Sequence, residues 1–484
     1  MNDNQLQYDN LRKIHPEFVF EKYAFSESDE GNVLDITYHF SIPGLARFEP
    51  TWSFTGVNLR QRNIDCDCLK RLIFSLGMAE LISYWKISCP PVVRIESGNL
   101  TTAQIAWWKK LYLKGLGEYF YVNGIVPGDN FIEIICPTPS LSSSSDSLSM
   151  SLSTPSAPGK ISQDAAASGQ PKVLIPIGGG KDSVLTLELL RESADRYAYI
   201  INPRQATRGT AEAAALGKEK LITAKRTLDK NMLTLNTKGY LNGHTPFSAI
   251  VAFSSVLAGY ASGMDYVALS NESSANETTV ANSDVNHQYS KSFEFETDFR
   301  QYEREYIASN VEYFSLLRPL LELQIARLFA RNKKYHPVFQ SCNTSEKTNE
   351  WCGICPKCLF VYIVLSPFLS EYELVSIFRK NLFEDETLAL TLDKLSGFTA
   401  EKPFECVGRR DEVRAALELT LNEYEKTGKQ IPPLLSHYKQ VRDSRNLCIA
   451  QSEINKILTY FDDNNAVPPR FISLVNGAAE RRID

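Results

Sequence analysis

The apolar positions change their period several times along the chain, and each change predicts an element. Val33 to Phe40 alternates apolar and polar residues and reads as a strand, as does Phe131 to Cys136. Between them, Cys68 to Trp85 carries apolar residues at helical spacing. Thr101 and Gln104 have the spacing of a capping box, ahead of a helix with Trp107, Trp108, Leu111 and Tyr112. Residues 1–137 are therefore expected to form an α+β domain. Residues 138–170 are different: rich in Ser, with Pro and Gly and no apolar period, they read as a disordered linker.

From residue 171 strands and helices alternate, which predicts a parallel sheet. Val173–Ile177 and Tyr197–Ile201 read as strands, Pro246–Ala261 as a helix and Tyr266–Leu269 as a further strand. Residues 171–365 are taken as one α/β domain. After it, Glu371–Leu382 and Glu412–Tyr424 read as helices, so 366–484 is expected to be mostly helical. The mixed stretch Lys402–Arg410 lies between those helices and reads equally as a substrate loop or a connector.

Composition narrows the class. The 484 residues are 43% hydrophobic with net charge -5, which fits a globular protein and argues against a dedicated nucleic-acid binder. The polar start and the lack of a long apolar run predict a cytoplasmic protein without a membrane span. The lysines at 109, 110 and 114 read as a solvated helix face. In a reducing cytosol the ten cysteines point to metal or redox chemistry rather than disulfides. Cys342, Cys352, Cys355 and Cys358 are spaced to close a tetrahedral thiolate site. Structural zinc is the first reading, and iron–sulfur or free thiols are the rivals.

The stretch with the most chemistry is Ile177-Gly178-Gly179-Gly180-Lys181-Asp182-Ser183. A strand meets three glycines and then a helix start. Glycines let the backbone approach a ligand, and the first helical N–H groups point at an anion. Lys181 adds a point charge and Ser183 a hydroxyl, so the stretch reads as a phosphate cradle. The spacing fits neither a Walker A loop nor a dinucleotide fingerprint. Two more polar loops follow strand ends, Asn202-Pro203-Arg204 and Ser270-Asn271-Glu272, where ligands of parallel sheets bind. The polar run Asn286–Ser292, with His287 and Lys291, follows closely.

The glycine stretch resembles the pyrophosphate loop of the adenine-nucleotide α-hydrolases, with Gly178 in place of the usual Ser. Arg318-Pro319-Leu320 before a helix resembles a second feature of that superfamily. Together with Pro246-Phe247-Ser248-Ala249, Ser270-Asn271-Glu272, Val285–Ser292, Trp351–Cys358 and Lys402–Gly408, these residues resemble the UDP-N-acetylmuramoyl-L-alanyl-L-glutamate epimerase family. The resemblance implies a PP-loop ATP-pyrophosphatase (HUP-like) domain. It implies an isomerase of peptidoglycan precursor synthesis that inverts the terminal L-glutamate of the UDP-muramoyl dipeptide. ATP would adenylate the carboxylate with Mg²⁺, releasing diphosphate, and hydrolysis of the anhydride would then release AMP.

On that reading Gly178, Gly179, Gly180, Lys181, Asp182, Ser183, Asn202, Ser270, Asn271 and Glu272 bind nucleotide. Lys181, Asp182, Lys291 and His287 take part in catalysis. The two proton-transfer groups stay open among His244, His287, Glu272, Lys291, Cys342, Glu405 and Cys406. Lys291, Arg318, Arg409 and Arg410 are the cations available for an anionic UDP group. The nearest rival is a 7-cyano-7-deazaguanine synthase-like ligase, which shares the loop and the cysteine spacing; a tRNA-adenylating enzyme is a third reading.

Overall fold

The computed structural model describes residues 3–60, 64–136, 169–280, 283, 285–345 and 350–480. The linker expected over 138–170 lies outside them, apart from Gly169 and Gln170. The strands are β1 (Glu17–Ser28), β2 (Val33–Ile42), β3 (Ala46–Phe48), β4 (Thr51–Thr55), β5 (Val92–Ile95), β6 (Glu133–Ile135), β7 (Lys172–Pro176), β8 (Asp195–Ile201), β9 (Leu221–Thr227), β10 (Tyr266–Leu269) and β11 (Glu312–Ser315). The chain is mixed α/β. Its contacts separate two compact units that thread through each other in sequence. The first holds Met1–Leu174, Ile222–Val267 and Phe295–Tyr313; the second holds Ile175–Leu221, Ala268–Glu294 and Phe314–Asp484.

In the first unit the strands run in the order β9-β4-β2-β1-β5-β6, with β3 also on β2. β2 pairs antiparallel with β1 and β4, β4 pairs antiparallel with β9, and β5 lies parallel to β1 and β6. Along β2 the alternation seen in the sequence buries Leu34, Ile36, Tyr38 and Phe40. The helix Cys66–Trp85 is buried almost all round, as a helix apolar on every face must be. A Cβ at Gly77 would lie 2.6 Å from the Tyr38 ring and 2.7 Å from Phe20, so glycine is what lets this helix approach the sheet. The capping box expected at Thr101 forms, and Trp107 and Trp108 pack with Phe253 and Tyr302. Lys110, expected on a solvated face, instead holds Asp298 at 2.6 Å.

Arg226 of β9 holds the fully buried Glu80 at 2.7 Å, and the Trp52 indole donates to the same carboxylate at 3.2 Å. Lys86 is also buried. It donates to the Gly243 carbonyl and, at 2.8 Å, to the Thr245 hydroxyl, and burial pushes its pKa down to about 8 with help from Arg226.

The second unit begins inside three strands, so the carboxyl ends of β7, β10 and β11, and the loops that follow, all belong to it. These strands lie in the order β11-β10-β7-β8. β10 is parallel to β7. Bonds from Glu312 N to Asp265 O and from Leu316 N to Leu269 O advance together along both chains, which makes β11 parallel to β10. Beyond β11 every regular element among the described residues is helical. The helix Pro356–Leu365 packs on Glu322–Ala330 and on Arg410–Thr427. The helix expected over Glu371–Leu382 stops at Phe378. Arg379 turns to φ 69°, and Asn381 caps a separate short turn by accepting from Phe383 N at 3.0 Å. No helix among the described residues is long and apolar enough to cross a membrane.

Candidate active site

The glycine turn stands at the carboxyl end of β7. Ile177 N still donates to Tyr199 O at 2.9 Å, as a continuation of the strand, and the helix Lys181–Leu189 begins directly after the three glycines. Only one of the three glycines is required by its geometry. Gly179 has φ +87°, and a Cβ there would sit 3.1 Å from Ala206 Cβ. Its carbonyl accepts from Gln340 N at 2.8 Å, which pins the turn. A Cβ on Gly178 would meet nothing within 4 Å. Gly180 is the helix N-cap and supplies no side-chain cap, so the first-turn N–H groups keep their anion-binding character. Ser183 Oγ donates to Gly180 O at 3.1 Å and closes the first turn.

Lys181 does not extend into solvent. Its side chain is 3% exposed and its ammonium is paired with Asp182 and with Glu322. Burial works against the charge, but the two carboxylates outweigh it and hold the lysine protonated. Asp182 is held as a carboxylate despite its burial by Lys181, Lys357 and Lys291. Glu322 is pushed up, by burial first and then by the charges of Asp182 and Glu272.

The loop after β10 is wired to its neighbours. Ser270 Oγ and Thr186 Oγ1 share a hydrogen at 2.8 Å, and Asn271 donates to Ser315 Oγ at 3.1 Å. Glu272 is buried, and its carboxyl is raised by burial and by Asp182. Ser274 donates to Glu412 at 2.7 Å. Arg318, expected as a cation available for an anionic UDP group, is fully buried, and its guanidinium donates to the carbonyls of Glu272 and Lys291 at 2.6 Å each. It ties the two polar loops together through backbone. Asn202, after β8, adopts φ 47° and is exposed.

The stretch Lys402–Gly408 is no loose connector. Lys402 is buried, paired with Glu277, and donates to Gly408 O at 3.0 Å, so it closes the loop on itself. The loop delivers Cys406, whose sulfur accepts from Lys291 Nζ at 3.1 Å and lies 3.9 Å from His287 Nε2. Lys291 also feels the charges of Glu272 and Asp182, so this group and the glycine turn share one electrostatic field.

Cys342, Cys352, Cys355 and Cys358 converge, with all four sulfurs within 4.8 Å of one another. The separations are 3.9 Å for Cys342–Cys355, 3.7 Å for Cys352–Cys358 and 3.4 Å for Cys355–Cys358. Tetrahedral zinc with its usual bond to sulfur sets these atoms ~3.8 Å apart. An iron–sulfur core is wider and would spread them. Backbone N–H groups of Ser345, Ile354, Cys355 and Cys358 donate to the sulfurs at 3.4–3.5 Å, and Gly353 makes the turn between ligands at φ +67°.

Residues 10–316 match the model of the MurL N-terminal domain, and residues 338–446 match that of the MurL C-terminal domain. The chain belongs to the MurL family. It is 35% identical over 353 residues to the UDP-N-acetyl-alpha-D-muramoyl-L-alanyl-L-glutamate epimerase of Xanthomonas oryzae pv. oryzae, covering 71% of this chain and 73% of that protein. Proteins of the same name from Micromonospora sp. and Salinispora tropica are 34% and 32% identical, over 72% and 76% of this chain and 75% and 76% of theirs. No solved structure matches.

Of the site residues expected from the sequence, this MurL-family chain groups Lys181 and Asp182 with Glu272, and brings Lys291 and His287 each to Cys406. Glu322 was not anticipated. It stands at the start of a helix far down the chain, and no spacing rule connects it to Lys181. Cys406 was one candidate among seven. Its selective signal is the partner at Lys291, which only the fold supplies.

Proposed function

We propose that this chain epimerises the terminal L-glutamate of UDP-N-acetylmuramoyl-L-alanyl-L-glutamate to D-glutamate in peptidoglycan precursor synthesis, through ATP-dependent adenylation of the glutamate carboxylate. The relatives' shared name supports the substrate and the outcome. The observation that carries ATP is the glycine turn at the carboxyl end of β7, pinned at Gly179 and opening onto an uncapped helix start. That arrangement suits the pyrophosphate of a PP-loop, HUP-like domain.

Adenylation has a chemical reason. A carboxylate's negative charge makes its α-proton very weakly acidic. Converting it to a mixed anhydride with AMP removes that charge, so a side-chain base can take the α-proton and an acid can return one to the other face, after which water cleaves the anhydride and releases the inverted carboxylate and AMP. The turn's N–H groups and Lys181 stabilise the diphosphate as it leaves. The carboxylate of Asp182, beside the turn, suits Mg²⁺, which when bound neutralises phosphate charge. Glu322 holds the Lys181 ammonium until phosphate arrives. The four cysteines are proposed to hold one structural Zn²⁺.

The test is incubation with ATP, Mg²⁺ and the UDP-muramoyl dipeptide in deuterated water. AMP, D-glutamate and deuterium at the α-carbon are expected together. AMP release only with ammonia and a deazaguanine carboxylate would overturn the reading in favour of a deazaguanine synthase.

A further inference from the structure

Cys406 is held with more care than a packing residue needs. Its own carbonyl accepts from Lys357 Nζ. The next carbonyl, of Val407, accepts from the Gln288 side chain at 3.2 Å. Val407 N donates to Glu405 O at 2.9 Å, and Glu405 N donates to Pro403 O at 2.8 Å, so the loop makes two successive tight turns around the cysteine. Lys402 closes the ends through Gly408 O, and Lys402 N is anchored to Thr279 O at 3.1 Å. The side chain so positioned is half-buried and carries a nucleophilic sulfur.

An ammonium has three donors and no acceptor, so Lys291 at 3.1 Å must donate to the sulfur, and a thiolate is the better acceptor. The groups facing the sulfur are Lys291, His287, Lys357 and Glu405. Burial opposes the thiolate, but the three basic groups outweigh burial and the Glu405 carboxyl and hold Cys406 well below the ordinary thiol range.

We propose that Cys406 is a catalytic residue that exchanges the α-proton of the activated glutamyl group, with Lys291, which donates to its sulfur at 3.1 Å, as the positioning residue. The inference rests on the adenylation reading above. In the step, the Cα–H bond breaks and an S–H bond forms on Cys406. The C–H electron pair moves into the carbonyl of the mixed anhydride as an enolate. When an acid protonates the opposite face, the pair returns to Cα and the centre is inverted. Glu272, buried and raised by its surroundings, is a carboxyl able to carry that second proton. A thiolate suits the first transfer because its basicity is tunable by the neighbouring ammonium, and partial burial removes part of its hydration.

The experiment uses the full chain and its Cys406→Ala and Cys406→Ser variants with ATP, Mg²⁺ and the UDP-muramoyl dipeptide, reading ATP–diphosphate exchange and α-proton washout into deuterated water separately. The expected result is exchange within about threefold of wild type and washout reduced at least about a hundredfold. Washout and epimerisation by Cys406→Ala within about threefold of wild type overturn the proposal. Loss of washout in a system where even wild type shows no ATP–diphosphate exchange sustains the thiol and sinks adenylation instead.

A second measurement does not depend on activity. Alkylation of Cys406 by iodoacetamide in wild type is expected to have a midpoint at least about one pH unit below the ordinary thiol value of about 8.5. Lys291→Met raises that midpoint and Lys291→Arg restores it. A wild-type midpoint in the ordinary range, or one unmoved by Lys291→Met, refutes the assignment.

Discussion

Lys181 and Glu322, 141 residues apart in the chain, form an ion pair in which each side chain is 3% exposed. The lysine expected to reach for phosphate therefore has a buried carboxylate as its partner before any nucleotide arrives. Removing one member strands the other. Lys181→Met is expected to abolish AMP formation and to cost about 3–5 kcal/mol of stability, because Glu322 and Asp182 lose their counter-ion. The double variant Lys181→Met/Glu322→Gln should recover much of the melting temperature and none of the AMP formation. Thermal melts beside an AMP assay separate the two effects, and a double variant as unstable as the single one would refute the pairing argument.

The glycines of the turn should not be equivalent. Gly179→Ala must hold φ +87° with a Cβ 3.1 Å from Ala206. A cost of about 1–2 kcal/mol and a large loss of ATP–diphosphate exchange are expected. Gly178→Ala meets no atom within 4 Å and should stay within about 0.5 kcal/mol of wild type. Equal melting temperatures for the two variants would contradict this picture.

Lys86 gives the first unit a pH signature. Its pKa falls from 10.5 unfolded to about 8 folded, because burial penalises the charged form. Between those values the unfolded chain binds more protons than the folded one, so stability rises with pH across that window. The charged, buried lysine is a penalty at pH 7 that is relieved on going upward. Wild type should therefore gain up to about 3 kcal/mol relative to Lys86→Met between pH 8 and pH 10.5. Denaturant titrations at the two ends measure it, and parallel curves for the two proteins would show that Lys86 keeps an ordinary pKa.

Metal analysis tests the cysteine cluster. About one zinc per chain is expected in wild type, with Cys355→Ser losing most of it and melting earlier. Ser345, Ile354, Cys355 and Cys358 direct their N–H groups at the sulfurs, so the metal should be held firmly and leave only slowly to a chelator. A brown, iron-containing protein would replace zinc with a cluster, and a metal-free wild type would leave four thiols.

Local order was written into the chain. The alternation along Val33–Phe40, the Thr101–Gln104 capping box and the strand–glycine–helix stretch at 173–183 each depend on neighbours within one or two turns. Propensity, capping and backbone freedom act at that range. The cysteine spacing was legible for the same reason, since thiols this close in sequence can converge through local turns. What the sequence could not decide was which distant charges meet. β9 joins the first unit by pairing with β4, although some 165 residues lie between them, because its Ala224 and Arg226 fit the register of Phe54 and Trp52. Arg318 looked available for an anion and is instead sealed onto two carbonyls. Glu322 reaches Lys181, and Cys406 reaches Lys291, only because packing brings their separate helices and loops together. Charge pairs of that kind carry no periodicity. Their strength comes from burial, and burial is a property of the folded chain alone.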